Sequence, residues 1–177
     1  MAKVITFSTK FPSYHSKAGQ NTYFVEKFYN SLYSRNNLMD YPKGLDIDES
    51  ILETKHHTIR AGSRWKKGDY ASMRVWGNDI NPKSGRSGAY HSKQIILAPD
   101  VLIKEVYDFE IKPAYMDLPL DYETDIIINH SFYHTDSKIM KVLAENDGLS
   151  LAELLQWFKY PKPFAGQVIV WNENAKY

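Results

Sequence analysis

The stretch KHHTIRAGSRWKKGD, residues 55–69, decides how this chain is read. Its first half reads as a short extended segment over 55–61. Gly62 and the run Lys66-Lys67-Gly68-Asp69 then signal turns. In an extended segment alternate side chains share a face, so His56, Thr58 and Arg60 point one way and Lys55, His57 and Ile59 the other. A local twist or bulge would still bring Lys55 and Thr58 to one pocket mouth.

Working outward, 70–76 alternates Tyr70, Ser72 and Arg74 against Ala71, Met73 and Val75, the period of a strand with two different faces. On the N-terminal side, 3–9 reads as a strand, and a helix is expected over about 22–34. Asn21 would cap that helix, and Phe24, Phe28 and Leu32 fall on one of its faces. Residues 36–48, broken by Pro42 and Gly44, read as a connection. Residues 77–88 are rich in Asn, Gly, Ser and Pro and read as a surface loop. Two strands are expected over 91–98 and 102–111, with a turn at Pro99-Asp100.

Residues 112–135 read as an insertion holding at most one strand, and 137–145 as a helix. Ser150 with Glu153 three residues later is a capping box for a second helix, which Pro161 and Pro163 stop. A last strand is expected over 165–172. Strands outnumber helices and are separated by turns, which points to an α+β fold with a mainly antiparallel, barrel-like sheet and flanking helices.

Composition narrows the function classes. At 177 residues the chain fits a single domain, 1–177, with hydrophobic residues at 43% and charged residues at 24%. Net charge is +1, so no global field steers the protein to a long duplex, whereas a nucleoside or a short RNA element remains open through a local patch. Aromatics reach 14%; most would fill the core, and some could stack on a base. There are no cysteines, which removes disulfides, thiolate nucleophiles and Cys-based zinc sites. The longest apolar stretches, such as Ile95-Ile96-Leu97-Ala98, are strand-sized, so no membrane partner is expected and cytoplasm is the expected compartment.

Lys55, Thr58 and a carboxylate would make chemical sense together. A lysine of lowered pKa can act as base for a threonine hydroxyl while the carboxylate orients the pair. The plain alternative is a basic strand solvated by water. Arg60, Arg64, Lys66 and Lys67 form a basic cluster around Trp65, which either stacks on a ligand or belongs to the core. His56 and His57, adjacent in a strand, face opposite sides and suit no common metal, while His130 and His134 would share one only in a helix. No metal and no cofactor are expected. Asp147 either closes a helix turn or supplies the carboxylate opposite Lys55; Glu145 is the other candidate.

Four features in order, Lys55-x-x-Thr58-Ile59-Arg60, Lys67-Gly68-Asp69, Asp147-Gly148 before a Ser150-initiated helix, and Phe164-x-Gly166-Gln167-Val168-x-x-Trp171, resemble the ASCH domain of the PUA-like superfamily. The resemblance covers roughly 50–172, leaving 1–49 as an N-terminal extension and 112–135 as an insertion. It implies a PUA-like β-barrel with a basic cleft that binds RNA, a nucleotide or a modified nucleoside. Small bacterial members with the Lys-x-x-Thr-Ile-Arg motif hydrolyse the amide of N4-acetylcytidine with a Lys, a Thr and a Glu. Carried over, these are Lys55, Thr58 and Asp147, so that Asp stands where those enzymes carry Glu. Arg60, Arg64, Trp65, Lys66 and His57 would then contact the ligand. Other members are ribonucleases, and a non-catalytic RNA-binding module is a third expectation.

Overall fold

The computed structural model describes residues 2–32, 41–112, 126–175 and 177. Among them, eight strands form two sheets, and three helices pack against these. The fold is α+β, as expected from the strand-rich pattern.

The first sheet has the order β1-β3-β4. β1 (Lys3–Phe7) runs parallel to β3 (Tyr70–Trp76), with Lys3 opposite Ala71 and Phe7 opposite Val75. In β3, Ala71, Met73 and Val75 are wholly buried, while on the other face Tyr70 is exposed, Arg74 half-buried and Ser72 covered, so the alternation is realised only in part. β4 (Gln94–Leu102) pairs antiparallel with β3.

Here the expected turn at Pro99-Asp100 gives way to a continuous strand. Ala98 faces Met73 and Val101 faces Ala71, so Pro99 and Asp100 together oppose Ser72. The pair is a bulge on a strand that, among the described residues, has a strand neighbour on one side only, where proline's missing N–H leaves no ladder bond unmade. The turn falls instead at Ile103-Lys104. Gly68 N–H donates to the Ile103 carbonyl at 2.9 Å, and Ile103 N–H donates to that of Asp69 at 2.8 Å. Gly68 adopts φ +87, the left-handed region that suits glycine, at the tip of the Lys67-Gly68-Asp69 turn.

The second sheet is antiparallel throughout, in the order β2-β8-β5-β6-β7. Its members are β2 (His57–Ala61), β5 (Glu105–Ile111), β6 (Ile126–Ile128), β7 (Ser131–Tyr133) and β8 (Phe164–Val170). β8 lies between β2 and β5, which is why Val168, Ile169 and Val170 are all buried. Gly166 is required there: a Cβ would sit 2.2 Å from the carbonyl oxygen of Arg60 on β2. The described part of 112–135 holds a two-strand hairpin rather than one strand. Asn129 and His130, at φ 46 and 66, make the left-handed two-residue turn that matches strand twist. The rest of that insertion, 113–125, lies outside the described residues. No hydrogen-bonded strand pair joins the two sheets among the described residues.

α1 (Phe24–Leu32) turns Phe24 and Phe28 into the core, as its spacing predicts; residues 33 and 34 of the expected helix lie outside the described residues. Phe7, Phe28 and Trp171 pack ring against ring with centroids 5.3 to 6.0 Å apart, joining β1, α1 and the end of β8. α2 (Lys138–Asn146) and α3 (Leu151–Trp157) are separated by four residues, Asp147 to Ser150. The capping box at α3 is complete, with Ser150 Oγ accepting from Glu153 N–H and Glu153 accepting from Ser150 N–H.

Candidate functional site

The residues just before β2 are fixed by backbone bonds to two helices. Lys55 N–H donates to the Lys27 carbonyl on α1 at 2.8 Å, and His56 N–H to the Asn146 carbonyl at the end of α2 at 2.7 Å. Gly148, at φ +76, closes α2 in a space where a Cβ would meet Lys27 Cδ at 3.0 Å and Lys55 Cβ at 3.6 Å. Lys27 Nζ donates to the Gly148 carbonyl at 2.8 Å. This close approach carries Lys55 and Asp147 together.

The Lys55 ammonium, 1% exposed, donates to Asp147 Oδ1 at 2.5 Å and to the Asp147 carbonyl at 2.7 Å. The carboxylate opposite Lys55 is therefore Asp147, while Glu145 is exposed on α2. The shorter side chain reaches because the Gly148 turn brings its backbone to the lysine. Burial pulls the Lys55 ammonium down to about 8, against the opposing pull of Asp147. Burial also pushes the Asp147 carboxyl up, against the charge of Lys55. The two shifts oppose an ion pair, yet a pKa near 8 leaves Lys55 mostly protonated at neutral pH, in keeping with the 2.5 Å contact. The ring of Phe24 lies 4.0 Å from Nζ.

His57 is fully buried on the same side of the strand as Lys55. Its Nδ1 is hydrogen-bonded to the hydroxyl of Tyr177, and its Nε2 lies 3.5 Å from Asp147 Oδ1, too far for a good hydrogen bond. Burial, then the charges of Lys55 and His56, hold the imidazole well below its usual value, so it is neutral. Burial pushes the Tyr177 hydroxyl up, so it stays protonated, and it is also hydrogen-bonded with the Asn146 side chain. The Asp147 carboxylate 3.5 Å from Nε2 would oppose a lone pair there, so the His57 proton is assigned to Nε2 and the Tyr177 hydroxyl donates to Nδ1. Tyr177 went unnoticed in the sequence. The only signal for it is the general need of a buried histidine for a partner, which does not say which residue supplies it.

Thr58 is buried in β2 opposite Ile169, and among the described residues no hydrogen bond joins it to Lys55. Arg60 and Arg64 are both engaged with backbone: Arg60 Nη2 donates to the Thr6 carbonyl at 2.7 Å and Arg64 Nη2 to that of Val4 at 3.1 Å. Trp65 is 3% exposed, which corrects its expected role as a stacking surface. Its backbone is gripped at both ends by the buried Gln167 side chain, at 3.0 and 3.3 Å, and Lys3 and Arg64 lie over its ring. His57, expected at the ligand, is likewise enclosed and instead faces Asp147. Lys66 is exposed, with its N–H on Asp69 Oδ2 at 2.7 Å. The site thus unites Lys55, His57 and Asp147, adds Tyr177, and leaves Lys66 outside.

No protein-family model, curated protein or solved structure matches this chain. What the site can do therefore rests on its own chemistry. An amine of pKa near 8 in an enclosed place, three residues before a hydroxyl, is suited to proton abstraction. For a metal the arrangement is unsuited: the histidine is flanked by an ammonium, and no cluster of three or more His, Cys, Asp or Glu fit for a cation occurs among the described residues. His130 sits in a turn and His134 follows β7, so the helical spacing that would pair them is not realised. No helix among the described residues is long and apolar enough to cross a membrane.

Proposed function

We propose that this chain is an ASCH-type protein that binds a nucleoside or nucleotide-like ligand and hydrolyses an amide on a modified nucleoside such as N4-acetylcytidine. The observation that carries this reading is the enclosed Lys55–Asp147 pair at the start of the strand that bears Thr58. Nζ of lysine has three positions, and Asp147 takes two of them. The third, a lone pair once the amine is neutral, is free to take a proton; because Thr58 points to the other face of β2 from His57, its proton would travel there through a bound water.

In the reaction, Thr58 Oγ forms a bond to the amide carbon as its proton passes to Lys55. The tetrahedral adduct then breaks its C–N bond, and the departing amine takes that proton from the ammonium. Water, deprotonated by Lys55, then attacks the acyl carbon; the C–O bond to Thr58 breaks, the ammonium returns the proton to Thr58 Oγ, and the carboxylic acid leaves. Asp147 holds Nζ in place, and neutral His57, oriented by Tyr177, keeps an N–H rather than a second cation beside the carboxylate.

In the same reading the two sheets are halves of an open PUA-like barrel, with the Arg60 and Arg64 side chains crossing from one to the other. The lack of cysteine fits a cytoplasmic setting. The RNA-module and ribonuclease readings draw less support, since Trp65 is covered and both guanidinia are engaged with carbonyls.

The test is incubation with N4-acetylcytidine and, separately, with a short single-stranded RNA, following cytidine release and RNA cleavage or retention. Cytidine release that disappears in Thr58→Val and Lys55→Met supports amide hydrolysis. RNA cleavage or binding without cytidine release replaces it with one of the other two readings, and inactivity towards both ends all three.

A further inference from the structure

Lys27 lies on α1, in the N-terminal extension, and holds both segments that carry the Lys55–Asp147 pair. Its carbonyl accepts from Lys55 N–H at 2.8 Å, and its Nζ donates to the Gly148 carbonyl at 2.8 Å. Its own N–H donates to the Tyr23 carbonyl at 3.0 Å, which anchors the backbone that holds Lys55. Between these ends the stem runs over Gly148, where a Cβ would meet Lys27 Cδ at 3.0 Å. One residue thus grips the entry to β2 with its backbone and the turn after α2 with its side chain.

A lysine on a carbonyl just past a helix end is an ordinary tie. Three observations give this one a further task. Asp147 answers Lys55 through its own carbonyl as well as its carboxylate, so the backbone of the 147–148 turn is part of the pair. A tie on the very next carbonyl therefore bears on where Lys55 Nζ sits. Next, Lys27 is half-buried and shares the wall of a cleft of about 510 Å³ with Lys17, Glu53 and Glu153. Burial lowers its proton affinity; Glu53, Glu153 and Glu26 oppose that and Lys17 adds to it, so three anions against one cation favour the charged amine.

The third observation is the sign of that charge. A cation beside the pair disfavours a protonated Lys55 and favours an ionised Asp147. Burial dominates both groups, followed by the pull of each partner on the other; the charges of Arg60 and Lys27 then act in this sense on both. His57, also facing Asp147, is neutral and adds no charge. The Arg60 guanidinium is bound to the Thr6 carbonyl, whereas Lys27 is bound to the turn itself. A neutral amine beside an ionised carboxylate is the state that a base requires.

We propose that Lys27 is a positioning residue of the Lys55–Asp147 site: its two hydrogen bonds fix the 147–148 turn against Lys55, and its ammonium sets a positive charge on the cleft side of the pair. The inference rests on the amide-hydrolysis reading for the use of that base, and it gives the N-terminal extension a part in the site.

The test follows the Lys55 ε-carbon by NMR against pH, in the full chain and in Lys27→Met, Lys27→Gln and Lys27→Arg. Loss of the charge in Lys27→Met is expected to move the Lys55 midpoint up from about 8, by about 0.5 in pH or more. Lys27→Arg keeps the charge and the donor and should leave the midpoint at or below the native one. If Lys27→Met fails to fold, as judged by circular dichroism, Lys27→Gln, with an N–H but no charge, carries the same expectation; should both fail, Lys27→Arg decides alone. An unmoved midpoint in folded Lys27→Met or Lys27→Gln, even with a lowered melting temperature, overturns the inference, and so does a rise in Lys27→Arg. N4-acetylcytidine turnover by the same variants separates the two claims. If both hold, the rise of kcat with pH moves upward together with the midpoint. A moved midpoint without turnover in the native chain spares Lys27 and sinks the reaction; turnover dependent on Thr58, with the same pH profile in Lys27→Met as in the native chain, does the reverse.

Discussion

Asp147 accepts both described hydrogen bonds of the Lys55 ammonium, one through its carboxylate at 2.5 Å and one through its own carbonyl at 2.7 Å. The side-chain pair is therefore also a tether between the end of α2 and the entry to β2. Removing one charge leaves the other enclosed without a partner, which typically costs about 3–5 kcal/mol. Asp147→Ala and Lys55→Met should each lose stability of that order in urea unfolding, and the double variant Lys55→Met/Asp147→Leu should lose less than the sum. A loss below about 1 kcal/mol in both single variants would show that water reaches the pair.

The pH dependence follows from the same pair. The Lys55 pKa is about 8 when folded and 10.5 when unfolded, so between these values the unfolded chain binds more protons. The Lys55 contribution should therefore make stability rise with pH across that window and stay flat below it. Asp147, raised in the folded state, acts the other way: its contribution falls as pH climbs from 3.8 through the folded value. Subtracting the pH profile of Lys55→Met from that of the native chain isolates the alkaline part, and a difference without slope from pH 8 to 10 would refute it. Amide hydrolysis, if Lys55 is its base, should rise with pH towards a plateau above about 8.

Tyr177→Phe removes the bonds of the hydroxyl to His57 Nδ1 and to the Asn146 side chain. A loss of about 1–3 kcal/mol is expected, the usual net worth of two such bonds. The sharper readout is the imidazole ¹⁵N NMR spectrum, which should show the proton on Nε2 in the native chain and a mixture of tautomers in the variant. Identical spectra would mean that the hydroxyl does not set the tautomer.

Gly166→Ala places a methyl carbon 2.2 Å from the Arg60 carbonyl oxygen, and 2.8 Å from a ring carbon of Phe164. Pairing of Arg60 with Gln167 and of Ala61 with Gly166 stops β2 from moving aside alone. The expected loss is about 3 kcal/mol, the upper end for overpacking. Gly68→Ala, with open space around it but φ +87, should lose only about 1 kcal/mol. Equal melting shifts for the two would contradict this ranking.

Features with a local period were legible in the sequence: the two-faced strand at 70–76, the Phe24–Phe28 stripe and the Ser150 capping box. The partnership of Lys55 with Asp147 was reachable through motif order, because the Gly148 turn that creates it is itself a local signal. Pro99 misled because a proline in a one-sided bulge has the same local signature as a proline in a turn. Trp65 and Tyr177 were not readable, since the groups that settle their roles, Gln167 and His57, lie 102 and 120 residues away in the chain. No periodicity encodes a contact of that length.

Along β1, the carbonyls of Val4, Thr6 and Ser8 each accept from a side chain: Arg64, Arg60 and the hydroxyl of Thr22. Among the described residues, β1 has no strand on that flank. A bare strand flank is a template on which another chain can add a strand and start aggregation. Two guanidinia and a hydroxyl occupy the acceptors such an intruder would need. Two residues of the basic motif that drew attention as a ligand cradle thus also guard the protein against self-association.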